Sequence, residues 1–204
     1  MGKLFVIDGT DGSGKQTQFD LLKKHLDEDG INYKTVSFPN YDSPSSSLVK
    51  MYLSGEFGEN ANDVSPYIAS TFYAADRYTT ANMVHQAGNI SDKKEREKFL
   101  NWLFDLEFNL YGLPKPTRVF FLNMPPQKVK ELIKDRKNKF THNNQKDIHE
   151  RDEKHLQDAY DAACSLVDIY DWKEIKCVKN NELRTRENIH EEIYKIVFDE
   201  IQKN

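Results

Sequence analysis

The chain has 204 residues, of which 30% are charged and 38% hydrophobic, and a formal net charge of −4. That length suits one compact domain over 1–204 with a sizeable core, while the acidic balance argues against a general nucleic-acid binder, which would be basic. No apolar run approaches the roughly 18 residues of a membrane span, and MGKLFVIDG leads straight into a strand rather than a secretory leader, so a cytoplasmic location with no membrane partner is expected.

The first element is a short apolar run, KLFVI at residues 3 to 7, bounded by Asp8-Gly9 as expected of a strand buried in a parallel sheet. A glycine-rich turn follows. From Lys15 to Asp29, Phe19, Leu21, Leu22 and Leu26 recur at helical spacing, and Gly30 closes the segment. Tyr33 to Phe38 has the composition of a second strand, ended by Pro39. Helical patterns predict helices near 45 to 54, 64 to 75 and 93 to 110, then a strand over Val119 to Leu122 ended by a proline pair. Further helices are predicted near 127 to 136, 150 to 168 and 187 to 201, with a last strand at Glu174 to Val178. Alternating strands and helices point to an α/β fold with a parallel sheet.

The stretch from about 134 to 154 is polar and basic, carrying Arg136, Lys137, Lys139 and Arg151, and suits a lid closing over phosphates. Cys164 and Cys177 fall in a predicted helix and strand and are expected to be reduced thiols. The histidines are scattered, and His149-Glu150 has no second histidine at the spacing a zinc protease helix requires, so zinc is not expected.

Gly9-Thr10-Asp11-Gly12-Ser13-Gly14-Lys15 lies between a predicted strand and a predicted helix, the context a phosphate-binding loop requires. Glycines let successive N–H groups and the helix N-terminus face one point, where they hold phosphate oxygens. The position after the lysine is Gln16 rather than Ser or Thr, with Thr17 following.

The Gly-Lys-x-Thr-Gln arrangement resembles nucleoside monophosphate kinases, and three further segments resemble thymidylate kinases of the bacterial type along nearly the whole chain. Asp11 stands before the second glycine, where the resemblance assigns contact with the sugar 3′-hydroxyl of dTMP. Asp76-Arg77-Tyr78 followed by TTANMVHQ is similar to the family signature, with Ala81, Val84 and His85 departing from it and Gln86 fitting. Arg77 would grip the dTMP phosphate, Asn82 falls where some members contact the thymine edge, and Gln86 would belong to the same dTMP site. Leu110 to Pro126, LYGLPKPTRVFFLNMPP, resembles the stretch leading into the family's fourth strand, and Phe38-Pro39 resembles the turn lining the acceptor site, with Tyr41 where arginine often stands. Phe72 and Tyr73 precede the signature where a ring stacks on thymine, and spacing to Arg77 favours Tyr73.

The resemblance implies a P-loop NTPase fold with helices on both faces of the sheet and a kinase moving the γ-phosphate of ATP to dTMP. Gly9 to Thr17 would hold ATP, with Mg2+ at Thr17; Lys15, Arg77, Asp11 and Arg136 would act catalytically; and a homodimer would form through helices. Another deoxynucleoside monophosphate kinase and a non-catalytic nucleotide-binding paralogue are the alternatives. One departure matters. The family carries two arginine motifs separated by a helix and a strand, whereas here Tyr73 to Tyr78 fuses both. One strand is therefore expected to be missing, the second strand to lie unpaired, and the shortened chain to be weakly active.

Overall fold

The computed structural model describes residues 2–38, 43–58, 60, 63–74, 77–133 and 153–203. Packing divides the chain into two compact units, one of residues 1–36, 114–132 and 164–204, the other of 37–113 and 133–163.

The first unit is built on a parallel sheet of β1 (Phe5–Asp8), β2 (Arg118–Asn123) and β3 (Lys173–Lys176), in the order β1-β2-β3. Register pairs Ile7 with Phe120 and Asp8 with Phe121, then Leu122 with Ile175. Four consecutive residues of β2, Val119 to Leu122, are buried, so both faces of this central strand are covered, as its unbroken apolar run requires. Helix α1 (Lys15–Glu28) packs on β1 and on the last helix, α8 (Arg186–Gln202), which also packs on β3. Gly30, at φ 67°, ends α1 by letting Ile31 N donate to the Leu26 carbonyl at 2.9 Å, the bond of a Schellman turn. A small hairpin of β4 (Val178–Lys179) and β5 (Glu182–Leu183) turns through Asn180 and Asn181, both at positive φ.

The strand expected at Tyr33 to Phe38 enters no ladder. Val36 is 70% and Phe38 49% exposed, and among the described residues β1 has no neighbour on the edge away from β2. The cause is the one the residue pattern anticipates: strand propensity needs a partner ladder, and among the described residues no strand lies between these two. The predicted strand over Glu174 to Val178 divides at Cys177 into β3 and β4.

The second unit is helical where it is described. A short 3-10 turn (Pro44–Ser46) enters α2 (Ser47–Ser54), followed by α3 (Pro66–Ala74), α4 (Thr79–Gly88) and α5 (Lys93–Phe104). Asp92 caps α5 by accepting from Glu95 N at 2.9 Å. The periodicity predicts one helix over 93 to 110, but its last stretch, Asp105–Leu110, is π-helical, with Tyr111 N donating to the Leu106 carbonyl at 2.9 Å. Val49, Tyr52, Leu53, Val64, Ala69 and Tyr73 form its aromatic-rich core, with Phe72 packed against it. Helix α6 (Pro126–Ile133) belongs to the first unit up to residue 132, and α7 (Glu153–Ile169) spans the change between units at 163/164. Among the described residues, no helix is long and apolar enough to cross a membrane.

Backbone amides at 119–122 should exchange with deuterium more slowly than any in the first unit, while those at 32–37 should exchange at the rate of an unstructured peptide. Protection of 32–37 comparable to β2, measured by hydrogen-exchange mass spectrometry, would show that this segment does find a ladder.

Candidate functional site

The turn between β1 and α1 is set by its glycines. Gly9, Gly12 and Gly14 have φ of 153°, 80° and 97°, backbone that side-chain-bearing residues rarely adopt. A β carbon on Gly9 would also lie 2.6 Å from Ser13 Oγ and 3.1 Å from the Leu122 carbonyl oxygen, so β1 turns beside β2 only because none is there. Ser13 N donates back to the Thr10 carbonyl at 3.2 Å, closing the turn.

Gly14 precedes α1 in left-handed conformation with no side-chain cap, so the first-turn amides of the helix are left for whatever lies before them. Lys15 Nζ reaches the carbonyls of Gly9 at 2.5 Å and Thr10 at 3.1 Å and stands 3.7 Å from Asp11 Oδ1. Two loop hydroxyls, Thr10 Oγ1 and Ser13 Oγ, are buried with no hydrogen-bond partner among the described residues. A turn with open amides, a helix N-terminus, two unspent hydroxyls and a lysine within reach is a cradle for an anion rich in oxygen. Gln16 faces outward, its amide bonding the Asp20 carboxylate at 3.1 Å, while Thr17 is half-buried in the first turn.

Asp8, which the residue pattern treats only as the end of a strand, belongs to this turn. Its Oδ1 accepts from Gly9 N at 2.7 Å, and its buried Oδ2 has no partner among the described residues. An acid directly before the first glycine is the signal that could have singled it out.

The remaining described candidates lie in the second unit. Arg77 follows α3, its guanidinium 4.6 Å from the centroid of the Tyr73 ring, and its N donates to the Tyr73 carbonyl at 2.7 Å. Tyr73 itself is 1% exposed, with Tyr52 meeting it edge-on at 5.9 Å. Phe72 is half-buried, 5.3 Å from Phe57 between ring centroids. Phe38 is exposed. Pro39, Tyr41, Asp76, Arg136, Lys137, Lys139 and Arg151, and with them most of the basic stretch at 134–154, lie outside the described residues.

Helix α4, which the residue pattern does not predict, carries Asn82 and Gln86 and is nearly all buried. Asn82 Nδ2 donates to the Ser70 carbonyl at 3.1 Å and to Glu107 Oε1 at 3.0 Å, and Thr79 Oγ1 donates to Glu107 Oε2 at 2.5 Å. Both amide hydrogens of Asn82 are thus spent, which leaves its Oδ1 as an acceptor; that atom, and both amide atoms of Gln86, are buried without a partner among the described residues. Glu107 is the hub that the sequence does not reveal: it lies in the π-helical stretch and is 0% exposed. Burial pushes its carboxyl above the ordinary value, and the bonds from Thr79 and Asn82 pull part of the way back.

A carboxyl whose folded value is raised contributes stability that is fully present below its unfolded value and is lost as pH rises through the folded one. The melting temperature of the parent protein should therefore fall relative to that of Glu107→Gln as pH rises from about 4 through the neutral range. A difference between the two proteins that stays constant over that range would show that Glu107 is not held in this environment.

A family model described as thymidylate kinase matches residues 7–93. The chain is 28% identical over 141 residues to the thymidylate kinase of Plasmodium falciparum, covering 61% of this chain and 63% of that protein. It is likewise 28% identical to the thymidylate kinase of Mycobacterium tuberculosis (strain CDC 1551 / Oshkosh) over 55% of this chain and 62% of that protein. The chain thus spans less than two thirds of these two relatives, whereas a match to the Danio rerio thymidylate kinase at 24% identity covers 88% of this chain and 91% of that protein. Among solved structures, deoxyadenosine kinase from M. mycoides with bound dATP aligns with a TM-score of 0.62 over 95% of this chain and 98% of that one, at 14% identity, a likeness of fold. The chain is thus similar to thymidylate kinases, most specifically over residues 7–93, and shares the α/β fold of that nucleoside kinase.

Proposed function

We propose that this chain transfers the γ-phosphate of ATP to dTMP, giving dTDP and ADP. The observation that carries the reading is the glycine turn from Gly9 to Lys15, whose amides, hydroxyls and lysine converge at the head of α1 inside the segment matched by the thymidylate kinase family.

Phosphoryl transfer asks little covalent chemistry of a protein, so its residues act by alignment and by supplying positive charge. The amides of Gly12 to Thr17 and the helix N-terminus hold the phosphates of ATP. Lys15 leaves the Gly9 and Thr10 carbonyls to bond phosphate oxygens, exchanging neutral acceptors for charged ones. The Thr17 hydroxyl would hold Mg2+, and the unspent Asp8 Oδ2 offers a further oxygen donor of the kind that ion prefers; the ion would supply positive charge to the phosphates. Asp11 bonds the sugar 3′-hydroxyl, and Arg77, steadied on the Tyr73 ring, grips the acceptor phosphate with a planar fork. Because Tyr73 is covered by that guanidinium, Phe72 is the ring of the pair left to stack on the base. Phe38 and Pro39 line the acceptor side, Asn82 and Gln86 read the base edge, and Arg136, Lys137, Lys139 and Arg151 close over the phosphates. A cytoplasmic homodimer pairing through α3 and α5 belongs to the same reading, supported by the exposed Tyr67 and Ile68 of α3.

An ADP-release assay with ATP and dTMP is the test. The 204-residue chain should give slow but dTMP-dependent ADP formation, slow because among the described residues the β1 edge of its sheet has no partner strand. Lys15→Ala should lower kcat by about 100- to 1000-fold with an unchanged melting temperature. ATP binding with no dTMP-dependent ADP formation would overturn the reading, and an unchanged rate in Lys15→Ala would remove the loop from it.

A further inference from the structure

The two histidines that the packing of α1 on α8 brings together stand outside everything assigned so far. His25, in the last turn of α1, places Nδ1 2.9 Å from Nε2 of His190 on α8. Glu191 adjoins them, and one ligand atom from each of the three residues lies within 4.8 Å of the others. We propose that His25, His190 and Glu191 form a binding site for a first-row divalent cation of the Zn2+ class, a clasp joining the phosphate-loop helix α1 to α8.

The geometry requires little movement. Two imidazole nitrogens at about 2.0–2.1 Å from one tetrahedral ion stand about 3.3 Å apart, so the rings need open by only about 0.4 Å from their hydrogen-bonded distance. In the bound form the ion replaces the proton the two rings now share. His190 is 6% exposed, and its Nδ1 has no partner among the described residues, so the ring turns to meet an ion without breaking a second bond. His25 is set by the Tyr194 ring, stacked on it at 3.5 Å with planes 10° apart, and the Tyr194 hydroxyl is in turn anchored on the Asp29 carboxylate.

The surroundings favour a cation. Glu28 and Glu191 both act on His190 as negative charges, one from each helix, and Asp29 lies beside Tyr194. Glu191 is exposed, so water completes the coordination sphere. Two imidazoles with one carboxylate select zinc, nickel, copper or cobalt over magnesium and calcium, which prefer oxygen, so the clasp is chemically separate from the loop's Mg2+. Residues 165 positions apart form no spacing motif, which is why the sequence alone gives no expectation of zinc.

The test needs no turnover. The full chain, dialysed against EDTA and held in excess Mg2+, is titrated with ZnCl2 by calorimetry and by thermal melting. One zinc should bind per chain and raise the melting temperature by about 5–10 °C when free zinc is about 100 times Kd. His25→Ala and Glu191→Gln should each weaken binding at least about tenfold, and lowering the pH to about 5.5 should release the ion, because imidazole ligands must be deprotonated. His190 is buried and its loss endangers the fold, so the half-buried and exposed ligands carry the comparison, with circular dichroism in EDTA checking that both variants are folded. No zinc-dependent shift, or the same shift in both variants as in the parent, would overturn the site.

Discussion

Gly9 lies where β1 meets β2 so closely that a β carbon there would stand 3.1 Å from the Leu122 carbonyl oxygen and 2.6 Å from Ser13 Oγ. That contact ties the chemistry of the loop to the packing of the sheet. Asp8 is in register with Phe121, and Phe120 and Phe121 are fully buried, so the end of β1 is fixed by the core rather than by the loop itself. With the strand end fixed, the chain reverses through residues at positive φ and α1 begins at Lys15, directing its amide dipoles to the place where the strand stops. A substitution of Gly9 would therefore disturb the anion cradle and the β1–β2 contact together.

Much of this was legible in the sequence, because the controlling signals are local. The run from Lys3 to Ile7, the glycines, the period of α1, its closure at Gly30 and the buried run of β2 each state their structure within a few residues. Signals that depend on a distant partner were not. Val36 and Phe38 have strand composition but no ladder, since β propensity expresses fit to a neighbouring strand. Helix α4 escaped notice because Thr79, Thr80, Asn82 and Gln86 are buried in it, so its polar residues mark no solvent face and its period is hidden. The site divides in the same way: the glycine turn between strand and helix could be read outright, while the covering of Tyr73 by Arg77 and the meeting of His25 with His190 exist only after folding.

The buried polar cluster on α4 and the π-helical stretch imposes a different constraint. Each polar group taken from water must recover its hydrogen bonds, and Glu107 recovers them from Thr79 and Asn82. The amide of Asn82 is locked in one orientation because both its hydrogens are committed to acceptors, at Ser70 and Glu107. An amide so held presents its oxygen and nothing else, and it would discriminate by hydrogen-bond sense, favouring a donor over an acceptor. Glu107, the acceptor that holds this amide, lies buried within the π-helical stretch, so the irregular turn and the polar cluster occur at one place.

The loop makes the opposite use of unsatisfied groups. Lys15 spends its charge on the carbonyls of its own turn, and the hydroxyls of Thr10 and Ser13 stay buried and unspent. A phosphate entering the turn gives every one of these groups a charged acceptor, while Lys15, whose side chain is already only 33% exposed, surrenders little further hydration. The desolvation that ordinarily opposes ion pairing has for the most part been met during folding, and met by the glycine turn itself. Anion binding then becomes an exchange of weaker acceptors for stronger ones within a backbone already in position, which is the condition under which a short loop can hold a highly charged ligand without a cluster of cationic side chains.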